Sequence, residues 1–273
     1  SCSNRTRLLS AALFLLMNST TSSKAKNRVR VQPWAVIFWL AVWQAASMAL
    51  DQEILLVSPI SVIVRLFSLM TTLPFWESIW FSFIRICSGF LAAVIAGTLL
   101  AALSVRFRRI SELLAPLMLA VKAIPVASFI ILVLIWIPSR NLSVFISFLM
   151  VLPVIYTIVL DGIRSANADL LEMARVFSIP VWRKIRYIYI FQVFPFFRSA
   201  CTISLGLCWK SGIAAEVIGI PDGSIGENLY QAKIYLNTPD LFAWTLVIVL
   251  ISLGFEKLFL FLLDLGCSRL ERM

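Results

Sequence analysis

Arg85, Lys122, Lys210 and Glu216 stand inside long apolar runs. In a bilayer each such charge costs ~2.5–3.5 kcal/mol on insertion scales, so it needs a partner or water and is a functional candidate by default. Lys210 and Glu216 are six positions apart, about 240° around a helix. They cannot pair with each other and must face different surroundings. Arg85 and Glu216 lie nearer the ends of their runs and are read as snorkelling to the interface. Lys122 and Lys210 lie deeper and would bias a transmembrane pathway toward anionic solutes. The adjacent, oppositely charged Glu256 and Lys257 read as locally compensated or packed against other helices.

Enzymatic chemistry finds little purchase here. The sequence has no histidine, which removes the commonest zinc ligand, the usual general base and the Ser/His and Cys/His nucleophile pairs together. Cys2, Cys87, Cys201, Cys208 and Cys267 form no CxxC pair and read as small buried residues rather than disulfides or metal ligands. There is no G-x-x-x-x-G-K-[ST] loop for a nucleotide. No cofactor is therefore expected in this chain.

The elements that must position these charges are transmembrane helices. The 273 residues are 60% hydrophobic and 14% charged, far from the roughly 25% charged of soluble domains, and the apolar residues come in runs without strand-like alternation. Six spans can be drawn: about 33–50, 75–104, 110–137 with Pro125 inside, 142–160 with Pro153 inside, 196–218 and 241–265. Both prolines mark bends. The net charge of +10 gathers between the runs rather than on one soluble face, so topology explains it better than nucleic acid does. Lys24, Lys26, Arg28, Arg30, Arg106, Arg108, Arg109, Arg164, Arg175, Arg183, Lys184, Arg186, Arg269 and Arg272 fall on one side, and Arg65, Arg140 and Lys233 on the other. The positive-inside rule then places both termini in the cytoplasm. Residues 1–31 are expected to be a cytoplasmic tail, of which 1–16 read first as an upstream extension before a start at Met17 and second as a weak interfacial anchor. Residues 32–273 form the transmembrane domain, with a long cytoplasmic loop at 161–195.

That loop carries the most specific pattern. Asp169 precedes Glu172 at capping-box spacing, and Leu170, Met173, Ala174 and Phe177 recur at helical intervals. Ser178-Ile179-Pro180 ends the helix and a basic, aromatic turn leads back to the membrane. Such an amphipathic helix suits a groove on a partner protein; the pattern equally suits a helix lying on anionic lipid. A stripe of small residues, Ala200, Ser204, Cys208, Gly212 and Ala215, follows in the next span. It reads first as a face for close helix packing and second as pore lining.

In this loop the sequence resembles the inner-membrane permeases of binding-protein-dependent ABC importers, of the nitrate, sulfonate and taurine type. Their signature is E-A-A, three residues, G, nine residues, I-x-L-P. Glu172, Ala174 and Ile188 match it, while Met173, Ser178 in the glycine place, Ile190 and Phe191 depart. The likeness runs from about Leu56 to Leu265 through Ser58-Pro59, Ser82-Phe83-Ile84-Arg85 with Gly89-Phe90, Ala123-Ile124-Pro125, Asp161-Gly162-Ile163 and Ala214-Ala215-Glu216-Val217-Ile218-Gly219.

The resemblance implies an all-α polytopic membrane protein with the type I ABC importer transmembrane fold. It implies a homodimer in the bacterial cell membrane, a separate ABC ATPase subunit that binds ATP and magnesium, and an extracytoplasmic substrate-binding protein. Asp169, Leu170, Glu172, Met173, Ala174, Phe177 and Ser178 are then the candidates for coupling to the ATPase; Lys122, Pro125, Lys210, Gly212 and Glu216 are those for the pathway. The rival readings are an ATPase-independent secondary transporter or channel, which would show inverted repeats or paired broken helices, and an intramembrane enzyme.

Overall fold

The computed structural model describes residues 32–50, 56–167, 172–173, 176–178 and 180–271. These are helical, with no strand among them, as lipid requires of a chain that must satisfy its backbone internally. The helices are α1 (Pro33–Leu50), α2 (Pro59–Met70), α3 (Leu73–Arg106), α4 (Arg108–Ala123), α5 (Val126–Val133), α6 (Ser139–Arg164), α7 (Val181–Lys184), α8 (Ile190–Gly219), α9 (Ile225–Ile234) and α10 (Thr238–Glu271). A π-helical turn, Ile185–Tyr189, joins α7 to α8. The chain divides into two units, Ser1–Ala46 and Ser47–Met273, and the second carries all that follows.

Four described helices, α3, α6, α8 and α10, are long and apolar enough to cross a membrane. A fifth span is α4 and α5 taken together, bent by 105°. The bend expected at Pro125 in the third span is thus a full break in the helix. Proline disfavours helical geometry in the residue before it and supplies no N–H, and Ile124 and Pro125 are both extended, with ψ of 130°. The expected count of six would need this bent pair and also α1, a helix of only 18 residues. Pro153, by contrast, interrupts nothing: α6 runs through it from Ser139 to Arg164.

α6 is the centre of the second unit, packed most extensively against α3 on one side and α8 on the other. Small residues permit this. A Cβ on Gly89 of α3 would lie 2.4 Å from the Val144 carbonyl oxygen of α6, and one on Gly97 would lie 2.9 Å from the Ile155 side chain. The α8 stripe is the matching surface, with Ala200, Ser204, Cys208 and Ala215 all fully buried. A Cβ on Gly212 would meet Ile86 and Ser147 at 2.7 Å. The packing reading of the stripe is therefore the one the structure supports, as expected where lipid leaves van der Waals contact to hold helices together.

α10 is held differently, along an aromatic seam. Phe255 and Phe259 meet Phe83 and Phe90 of α3 edge-on, with ring centroids 5.4 and 5.0 Å apart, a geometry that suits the ring quadrupole. Arg198 of α8 forms a two-pronged ion pair with Asp264 of α10 at 2.7 and 3.0 Å. Near its start α10 also buries Ala243, Trp244 and Val247, while bulky apolar side chains on α3 and α5, such as Trp80, Ile95 and Ile131, are more than half exposed. Exposure on this scale fits a lipid surround, where it carries no hydrophobic penalty.

Candidate functional site

The five pathway candidates separate into two groups. Lys122, Pro125 and Lys210 are exposed on the chain surface. Lys122 closes α4 just before the break and donates to Thr157 Oγ1 of α6 at 3.2 Å. The break itself leaves exposed, non-helical backbone at Ile124 and Pro125, which at membrane depth is tolerated where it lines a cavity or is covered by protein. Gly212 and Glu216 are instead interior.

Glu216 does not snorkel. It is fully buried because the chain folds back over it. After α8 ends, Ile220 adopts a left-handed φ of 46°, and α9 then returns so closely that a Cβ on Gly226 would lie 2.3 Å from Glu216 Cβ. Oε2 accepts from Ser82 Oγ at 2.6 Å and from the Gly226 N–H at 3.4 Å. Ser82 in turn accepts from the Ile225 N–H at 3.0 Å, while Ser143 of α6 faces the same carboxylate. One acidic side chain thus ties α3, α8 and α9 at the same end of the helices. Arg85, also read as snorkelling, is half-buried beside this network. Its Nε donates to the Arg140 carbonyl and its guanidinium lies 3.8 Å from the Phe81 ring centre. Glu256 and Lys257 make no ion pair with each other.

Sequence reasoning did not find α2 and α9, which lie in segments expected to be loops. Local signals existed. Ser58 caps α2 by accepting from the Ser61 N–H at 3.1 Å, with Pro59 in the first turn. Ser224 and Glu227 have capping-box spacing, and Ser224 Oγ accepts from the Glu227 N–H at 2.9 Å. Arg65 of α2 pairs with Asp240 in the first turn of α10, where the helix dipole already favours a carboxylate.

At the other end of α8, Asp169, Leu170 and Ala174 of the loop pattern lie outside the described residues. Glu172, Met173, Phe177 and Ser178 are described. The Phe177 N–H donates to the Met173 carbonyl at 3.0 Å, closing a helical turn, and Ser178 then takes a left-handed φ of 48°. This gives the motif's glycine a physical reason, since only glycine enters that region without penalty. Met173, Val176 and Phe177 are 48%, 75% and 72% exposed.

The model of the family described as binding-protein-dependent transport system inner membrane components matches residues 89–270, from α3 through this turn to the end of α10. The chain belongs to that family. As a permease it also resembles a probable ABC transporter permease of Haemophilus influenzae, 26% identical over 216 residues that cover 78% of this chain and 87% of the relative. A putative aliphatic sulfonates transport permease of Bacillus subtilis is 22% identical and covers 78% of each chain. The nitrate import permease of Synechococcus elongatus is 26% identical, covering 71% of this chain and 73% of its own. The chain is thus a multi-pass ABC transporter permease subunit.

Proposed function

We propose that this permease is half of a homodimeric importer for a small anion, delivered by an external binding protein and driven by a separate ATPase that holds ATP and magnesium. The observation that carries the reading is the turn at Met173–Ser178: exposed apolar side chains beside a left-handed residue, at the place of the family's coupling motif. Asp169, Leu170, Glu172 and Ala174 are the further candidates for contact with the ATPase, within a transmembrane domain taken as 32–273 and its loop 161–195. Two relatives are named for sulfonates and nitrate, both anions, and Lys122 and Lys210 are exposed cations able to favour such a solute.

Lys210→Met should lower uptake of a sulfonate into proteoliposomes at least tenfold while assembly and basal ATPase activity persist. Unchanged uptake would remove Lys210 from the pathway.

The orientation has both termini and the 161–195 loop in the cytoplasm. In a cysteine-free background, a cysteine at Tyr235, which is 79% exposed, should react with a membrane-impermeant maleimide from outside intact cells. One at the exposed Ser165 should react only after permeabilisation. The reverse pattern overturns the orientation.

A further inference from the structure

We infer that the permease holds one anionic phospholipid of the cytoplasmic leaflet, its acyl chain in a cleft beside the π-helical turn and its phosphate among three basic side chains. The cleft has a volume of about 280 Å³ and is lined almost wholly by apolar atoms, from Thr98 and Ala102 of α3, Ile163 of α6, Tyr189 of the π-helical turn, and Val193 and Phe197 of α8. It therefore lies where three spanning helices approach one end. An apolar groove at membrane depth offers hydrocarbon the same surroundings as the bilayer and offers a polar solute nothing to bond to.

Charge decides which lipid. Three of the segments that line the cleft have a cation beside a lining residue in the chain. Arg106 follows Ala102 by one turn of α3, Arg164 follows Ile163 directly on α6, and Lys184 directly precedes Ile185, another lining residue. Asp161, on the last turns of α6, offsets one of the three. Arg164 donates to Ser111 Oγ at 3.1 Å and Arg106 lies over the Phe107 ring; both partners are neutral, and neither arginine makes an ion pair among the described residues. Basic pockets between helices on the cytoplasmic side are suited to anionic headgroups. A π-helical turn is rare and tends to occur at functional positions; here it widens the start of α8 where the acyl chain would enter. The cytoplasmic placement rests on the orientation proposed above, which the maleimide experiment tests separately.

The test is native mass spectrometry of the purified full-length permease exchanged into mixed micelles containing equal phosphatidylglycerol and phosphatidylcholine. One phosphatidylglycerol should remain bound per chain, with about tenfold preference over phosphatidylcholine. The double variant Arg106→Gln, Lys184→Gln should bring the ratio near one, and Ala102→Trp, which fills the cleft, should reduce retention of both lipids. Equal retention by the unmodified protein, or unchanged retention in Ala102→Trp, would overturn the proposal. Should Ala102→Trp fail to assemble, a phosphatidylglycerol with a photoactivatable acyl chain decides on the unmodified protein. Labelled peptides from 185–197 support the site, and labelling confined to other segments refutes it.

Discussion

Phe177→Asp is expected to abolish co-purification of the ATPase, with at least a tenfold loss of binding, and to stop solute uptake in proteoliposomes while the permease itself assembles normally. The separation of the two effects follows from exposure. Phe177 is 72% exposed, so within this chain the substitution removes little packing and buries no charge. In a docked complex the same carboxylate would sit unpaired in an apolar groove, where an uncompensated charge costs several kcal/mol. Large aromatic anchors account for much of the energy of such interfaces. Ser178→Gly is the useful companion. It relieves a left-handed conformation that costs a non-glycine residue roughly 1–2 kcal/mol, and should preserve or tighten binding. If Phe177→Asp still binds the ATPase and transports normally, the turn lies on the lipid surface and coupling runs elsewhere.

What could be read in the sequence follows from the physics of each signal. Long apolar runs mark α3, α6, α8 and α10 because lipid leaves no other way to satisfy the backbone. The break at Pro125 was legible in the proline itself, while Pro153, read by the same signal, leaves α6 unbroken. Proline signals a lost hydrogen bond, but whether the helix continues depends on its neighbours, and α6 is clamped between α3 and α8 throughout. The small-residue stripe was read correctly as packing, since its spacing alone fixes one helix face.

The fate of Glu216 was not legible. Its place near a run's end suggested a route to water, and only the return of α9, positioned by the left-handed Ile220, seals it. That return joins residues from three separate segments, so no local pattern announces it. Ser82 and Ser143 are among several hydroxyls in their helices, such as Ser78, Ser88 and Ser147, so they acquire meaning once the carboxylate they face is known.

The sealed end makes the second large effect predictable: Gly226→Ala should lower the Tm of the purified permease by on the order of 5 °C or more, whereas Gly254→Ala should leave it unchanged or raise it slightly. At Gly226 the new methyl would lie 2.3 Å from Glu216 Cβ and 2.4 Å from the Glu216 carbonyl carbon. Neither is the far end of a flexible side chain, so α9 itself must lift from α8. Overpacking of this kind costs typically ~1–3 kcal/mol. Lifting α9 also withdraws the Ile225 and Gly226 N–H groups from Ser82 and Glu216, and a buried group left without its partner adds about 1–3 kcal/mol. At Gly254 nothing lies within 4 Å of the added carbon, and alanine favours the helix by roughly 1 kcal/mol. ATPase co-purification should survive in Gly226→Ala, because the strain sits at the opposite end of α8 from the turn at Phe177, while uptake should fall as the end covered by α9 loosens. Equal Tm values for the two variants would show that α9 does not press on Glu216, and the buried carboxylate would then need another means of exclusion from water.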